Sequence, residues 1–394
     1  MAWSGADPAY AGATMQCDHF DAGRCRSCTL MGVPYGMQLA DKQARAAGRL
    51  AAVAPGIRWL DPAASPEAHF RNKAKLVVGG RTGSPTLGIL DERGRGVDLR
   101  SCGLYEAGLA VTFDTLHRLV TDLRLEPYDV PARRGELKYL LVTHSPDGEH
   151  LVRFVLRSER HLSALRDALP RLQAELPSVR VVTVNLHPEH KAVLEGDTEV
   201  ALTAETLLPM RVGDVTLLLG PRAFFQTNTS VAAGLYRQAR EWVMDADPQV
   251  VWDLYCGVGG FALHATGPGR TVVGVETSAQ AVEAARVAAA RHADAVGPAS
   301  AGTVTFEVGD ATTLTPSPPP DLVVVNPPRR GIGPALAAWL ESSTASRVLY
   351  SSCNVDTLAR DLAAMPSLRP VSARLFDMFP QTPHLEVMAS LERR

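Results

Sequence analysis

Over residues 60–216 apolar positions alternate with polar ones in short runs, which predicts strands that include Phe70–Val78 (FRNKAKLVV), Gly135–Thr143 and Leu151–Ser158. His161–Glu175 has helical spacing instead and packs on them, so the stretch is an α+β module. From about 222 the pattern becomes strand, glycine loop, helix, repeated, the sequence form of a parallel sheet with helices on both faces. Strands are predicted at 250–254, 271–276, 303–308, 321–326, 347–351, about 370–376 and 385–391, and a helix over Ala279–Ala293. The expected fold class is α/β, with a Rossmann-like seven-stranded sheet that closes in a hairpin, its last strand antiparallel, behind an α+β module.

At 394 residues the chain has room for about two to three domains. The expected division is a flexible tail over 1–16, a cysteine-rich region with basic strands over 17–103, a central module over 104–216 and the parallel-sheet domain over 222–394. Lys plus Arg number 40 and Asp plus Glu 42, a net charge of -2, so nucleic acid cannot be gripped by bulk charge and any such contact needs a local patch. Of the basic residues 35 are arginine, in a chain also rich in alanine, glycine and proline, which points to genome base composition before phosphate binding. No run approaches the roughly 20 apolar residues of a spanning helix, and the first residues lack a signal-peptide pattern. A cytoplasmic protein without membrane contact is expected, its six cysteines reduced. Met15 is an alternative start.

Ligands of an open α/β sheet bind beyond the carboxyl ends of its strands, so residues there carry weight. The first strand ends in Asp253-Leu-Tyr-Cys-Gly-Val-Gly-Gly260, the second in Glu276, the third in Asp310, the fourth in Asn326-Pro-Pro-Arg-Arg-Gly331 and the fifth in Ser352-Cys353-Asn354. Gly257 and Gly259 allow backbone to approach a ligand, and Glu276 can accept both ribose hydroxyls of an adenosine cofactor. The same glycines fit a dinucleotide fingerprint. The closing hairpin and Cys353 favour S-adenosylmethionine over NAD, hence a class I methyltransferase domain. Asn326-Pro-Pro starts like the NPPY tetrad of amino-group methylases, but Arg329 replaces the aromatic, which favours a carbon target.

Carbon 5 of a pyrimidine attacks a methyl sulfonium only after a nucleophile has added to carbon 6. Cys353, between a strand end and the predicted helix Val355–Ala363, is the candidate, with amide dipoles favouring its thiolate. Glu386, returned to the same rim by the hairpin, is the candidate base for the carbon-5 proton, with His384 as rival.

At these residues the chain resembles bacterial RNA (uracil-C5)-methyltransferases of the RumA/TrmA type, most closely the branch that modifies 23S rRNA. FRNKAK (70–75), RRGELKYLL (133–141), FFQTN (224–228), DLYCGVGGF (253–261), NPPRRG (326–331), YSSCN (350–354) and LFDMFPQTPHLEVM (375–388) carry the likeness, which runs from about Met15 to the C-terminus. It implies S-adenosylmethionine contact by Gln226, Tyr255, Glu276 and Asn326, with Cys353 as nucleophile and Glu386 as base. Gln226 has no signal in the residues alone, where Phe224 and Phe225 look like core. Cys17, Cys25, Cys28 and Cys102 suit tetrahedral zinc or an iron–sulfur cluster by spacing; the resemblance points to [4Fe-4S]. Relatives of the RumA kind carry a small β-barrel before their cysteines, whereas 16 residues precede Cys17, leaving Arg71, Lys73 and Lys75 as candidate RNA contacts. A monomer acting on a hairpin-loop uridine of 23S rRNA is expected. The alternatives are an NAD-dependent oxidoreductase and a non-catalytic iron–sulfur RNA-binding protein.

Overall fold

The computed structural model describes residues 15–191, 193–313 and 318–394, so most of the expected tail and part of the Pro316–Pro320 loop lie outside the described residues. The chain divides into two compact units, one of residues 15–31 and 66–210, the other of 32–65 and 211–394.

The first unit is built on a seven-stranded sheet in the order Gly96–Asp98, Ser84–Leu90, Lys73–Arg81, Leu137–His144, His150–Leu156, Val179–Leu186, Thr198–Ala201. Only His150–Leu156 and Val179–Leu186 pair in parallel, and the helix Leu162–Glu175 makes the crossover between them. Alternation decides the faces. Ala74, Leu76 and Val78 point into a core shared with Leu140, Val142, Phe154 and the helix Phe113–Asp122, while Lys73 and Lys75 fall on the other face. The expected boundary between 17–103 and 104–216 is not found, because Lys73–Arg81 pairs directly with Leu137–His144 and both share one core.

The second unit holds an eight-stranded sheet in the order Arg58–Trp59, Leu368–Phe376, Glu386–Arg393, Arg347–Ser352, Leu322–Val325, Val250–Leu254, Thr271–Glu276, Thr303–Val308. Five of these strands, from Arg347–Ser352 to Thr303–Val308, are parallel throughout. Glu386–Arg393 inserts between Arg347–Ser352 and Leu368–Phe376 and runs antiparallel to both, which forms the closing hairpin.

The count differs from the expected seven because Arg58–Trp59 adds a short parallel edge strand beside Leu368–Phe376. It belongs to the segment 32–65, which the sequence reading placed with the cysteines. The helix Tyr35–Leu50 accounts for the difference: Ala46 and Leu50, with Ala54 beyond it, join the core formed by Leu340, Val348, Leu358 and Leu375.

Capping places the helices that follow the strand ends. Asn228 accepts from the Val231 amide at 3.3 Å, Ser278 from the Ala281 amide at 3.3 Å and Asn354 from the Asp356 amide at 3.1 Å. Each cap lies just before a helix, Thr229–Ala246, Ala279–Val296 or Val355–Ala363, so the loops ahead of them are held at the carboxyl edge of the sheet.

Candidate active site

Beyond that edge lies a cavity of 1180 Å³, within the second unit, lined by Gln226, Tyr255, Gly257, Glu276, Asp310, Asn326, Cys353 and Glu386. Its volume suits a cofactor together with a second ligand. Of the residues expected to bind the cofactor, Gly259 does not line it. The backbone there has φ +88°, and a Cβ would meet the Phe306 ring at 2.9 Å, so this glycine serves the turn and its packing. Gly257, at φ +55°, does face the cavity.

The glycine turn is held by two carboxylates. Glu276 accepts from the Gly257 amide at 3.2 Å through one oxygen and from the Ser278 amide at 3.0 Å through the other. Asp253 is fully buried; its Oδ2 accepts from the Ala262 amide at 2.8 Å while Oδ1 has no hydrogen-bond partner among the described residues. Burial, with the Glu276 charge adding, pushes Asp253 up to about 8. Asp310 is exposed and held below the usual carboxylate range by Thr312, whose amide and hydroxyl donate at 2.9 and 2.8 Å.

Cys353 and Glu386 come together from the two sides of the antiparallel pair. Glu386 is 3% exposed, and burial raises it to about 7 against one hydrogen bond, from Ser351. Such a carboxyl titrates near neutrality, as a proton acceptor in a water-poor pocket should. The Cys353 thiol is half-buried and is raised, first by burial and then by the Glu386 charge, against the opposing charge and hydrogen bond of Arg329. The expected lowering by helix amides is therefore not what prevails. Desolvation outweighs it, and Arg329 is the cation that favours the thiolate. Arg329 is held in turn, since its carbonyl accepts from Asn354 Nδ2 at 3.1 Å and from the Thr357 hydroxyl at 3.3 Å. His384, the rival base, is exposed and does not line the cavity.

Three features escaped the sequence reading. Phe224, taken for core, is 73% exposed at the cavity rim, whereas Phe225 is buried. Gln38 and Lys42 clamp the loop that leads to Glu386: Gln38 donates to Gln381 Oε1 at 3.0 Å and accepts from its amide at 2.9 Å, and Lys42 donates to Asp377 at 2.6 Å. A signal existed, because Gln38 and Lys42 occupy the buried stripe of Tyr35–Leu50, where apolar residues belong.

In the other unit Cys17, Cys25, Cys28 and Cys102 line one cavity of 120 Å³. Cys28 is pushed up to about 12 by burial and by the other three thiols, with Arg71 opposing. The donors and their need for a nearby cation fit a thiolate-bound metal or cluster, but among the described residues no three potential ligands stand close enough to hold an ion. Arg71 and Lys75 line this cavity as well, and Lys73 is lowered to about 8, chiefly by burial and then by Lys75 and Arg153.

Known proteins resemble this chain in sequence and fold. A family model described as tRNA (Uracil-5-)-methyltransferase matches residues 319–394, which include Arg329, Cys353 and Glu386. The chain is 45% identical over 382 residues to the 23S rRNA (uracil(747)-C(5))-methyltransferase RlmC of Salmonella newport (strain SL254), covering 96% of this chain and 100% of that one. Identity and coverage are the same for the RlmC of Salmonella enteritidis PT4 (strain P125109), at 45%, 96% and 100%. The crystal structure of Pyrococcus abyssi tRNA (uracil-54, C5)-methyltransferase in complex with S-adenosyl-L-homocysteine superposes with a TM-score of 0.78 at 25% identity, over 93% of this chain and 84% of that one. With likeness along nearly its whole length, and the thiol and carboxyl of the site inside the matched segment, the chain belongs to the RNA (uracil-C5)-methyltransferase family.

Proposed function

We propose that this chain transfers the methyl group of S-adenosylmethionine to carbon 5 of a uridine in a hairpin loop of 23S rRNA, acting as a monomer in the cytoplasm. The observation that carries the reading is one cavity holding Cys353 and Glu386 together with Glu276 and Asn326. Bound there, the cofactor supplies an electrophilic methyl sulfonium. Glu276 would receive the ribose hydroxyls, Gly257 would let backbone approach, and Gln226, Tyr255, Asp310 and Asn326 would complete the cofactor's surroundings. Unstacking a loop uridine costs about a few kcal/mol, and an exposed ring such as Phe224 offers a face on which a base can stack.

In the pocket the Cys353 thiolate, favoured by Arg329, adds to carbon 6. Electron density then rests on carbon 5, which takes the methyl group, the electrons of the methyl–sulfur bond leaving with S-adenosylhomocysteine. Glu386 removes the carbon-5 proton, the carbon 5–carbon 6 double bond returns, and the carbon 6–sulfur bond breaks to release Cys353 as thiolate. RNA carrying 5-fluorouridine in place of the target should leave the protein covalently attached, because fluorine blocks the proton step, and Cys353→Ala should abolish the adduct. On ordinary RNA Glu386→Gln should accumulate it. An adduct that persists in Cys353→Ala refutes the nucleophile.

Cys17, Cys25, Cys28 and Cys102 are proposed to hold a [4Fe-4S] cluster that pins loops of the first unit; methyl transfer is redox neutral and routes no electron through it. Arg71, Lys73 and Lys75 are proposed RNA contacts, of which Lys75 is the most exposed. Phosphate contact makes binding weaken as salt rises. Among the described residues no helix is long and apolar enough to cross a membrane.

A further inference from the structure

Ser351 stands behind Glu386 and outside the cavity. It lies on Arg347–Ser352, opposite Met388 of the antiparallel strand Glu386–Arg393. Alternate residues of a strand share a face, so Glu386 is the diagonal neighbour of Ser351 on the side where Met388 points. The Ser351 hydroxyl donates to Glu386 Oε1 at 2.5 Å. Ser351 is 0% exposed and does not line the cavity, whereas Glu386 and Cys353 do. The hydroxyl thus cannot touch a nucleobase except through the carboxylate.

Other groups around Glu386 leave that hydroxyl without a competitor. The Cys353 thiol and the Tyr236 phenol, on the helix Thr229–Ala246, both feel the Glu386 charge, and neither is cationic at neutral pH. On Leu368–Phe376 the residue paired with Glu386 is Phe376, and the nearby Arg374 gives its guanidinium to Gln238 and to the Asp61 carbonyl. His384, two residues away, is exposed, and Arg329 is engaged with Cys353. Among the described residues Ser351 is the one group that favours the charged form of Glu386 against burial.

We propose that Ser351 is a positioning residue for proton abstraction, its hydroxyl holding Glu386 as a carboxylate with Oε1 fixed and Oε2 free to take the carbon-5 proton. This rests on Glu386 being the base. The proton passes from carbon 5 to Oε2, the electrons of the carbon–hydrogen bond form the carbon 5–carbon 6 double bond, and those of the carbon 6–sulfur bond leave with Cys353. Removing the hydroxyl leaves the carboxyl buried with no donor, so it keeps its proton to higher pH and cannot accept another.

The test is single-turnover resolution of the covalent adduct as a function of pH on ordinary RNA substrate. In Ser351→Ala the acid limb should move up by about one to two pH units, with a fall of roughly 5- to 50-fold at pH 7 that is recovered on the alkaline side. The Cys353 adduct should accumulate at pH 7. Ser351→Thr, which keeps a donor, should restore the limb to its original place. An acid limb that stays put in Ser351→Ala overturns the inference, whatever happens to the rate. If Ser351→Ala fails to bind S-adenosylhomocysteine, and so has not folded, Ser351→Cys replaces it. That weak donor should give an intermediate shift, and no shift overturns the inference equally. Glu386→Gln run in parallel separates the two levels. Trapped adduct in Glu386→Gln with an unmoved limb in Ser351→Ala sinks the positioning role alone, whereas continued turnover in Glu386→Gln sinks the base itself.

Discussion

Replacing Lys42 by Met should destabilise the second unit more than any surface substitution could. The Lys42 side chain is 2% exposed and its partner Asp377 0%, and the ammonium lies 2.6 Å from Asp377 Oδ1 and 3.0 Å from the Phe379 carbonyl. Among the described residues Asp377 Oδ2 has no hydrogen-bond partner. Met fills the volume of the lysine stem but leaves Asp377 a buried, uncompensated carboxylate, a change that costs about 3–5 kcal/mol. For a unit of this size that lowers the melting temperature by about 6–20 °C. Lys42→Met combined with Asp377→Leu removes both charges and should recover most of the loss, leaving about 1 kcal/mol for the Phe379 carbonyl that no longer has its donor. Urea unfolding of the wild type, the two single variants and the double variant, followed through S-adenosylhomocysteine binding, measures the coupling. A cost below about 1 kcal/mol for Lys42→Met, or a double variant as unstable as the single, would refute the reasoning that this pair anchors the loop leading to Glu386.

Two further outcomes are expected. Glu386 is raised from 4.5 to about 7 in the folded protein, so its contribution to stability is complete below about pH 4.5 and lost as pH rises past about 7. Glu386→Gln should therefore be more stable than the wild type at pH 8, by up to about 3 kcal/mol, with the difference closing toward pH 4; parallel stability curves across that range would contradict the buried, raised carboxyl. Protein purified without oxygen should carry about four irons and four sulfides per chain, lost in Cys28→Ser. One zinc without sulfide would replace the cluster by a tetrahedral ion, and no metal at all would leave the four thiols free.

What the sequence determined by itself is what nearest neighbours and strand period decide. The helix Val355–Ala363 and the strands 250–254, 271–276 and 303–308 match the expected bounds, because each is a strongly patterned run closed by a glycine or a cap. Once those strands are placed, the carboxyl-edge rule brings Tyr255, Glu276, Asp310, Asn326 and Cys353 to one rim, and the cavity is found there.

Tertiary structure alone decided the features that depend on chain segments far apart. The segment 32–65 packs with residues 211–394, because the apolar stripe of Tyr35–Leu50 is buried against strands some 300 residues later, which local pattern cannot register. The Lys42–Asp377 pair spans 335 positions, and the Ser351–Glu386 bond exists only because the last strand inserts antiparallel beside Arg347–Ser352. The direction of the Cys353 shift likewise reversed the expectation from helix amides, since a thiol's charge is set by the water it loses and the charges it meets, and both are properties of the folded pocket.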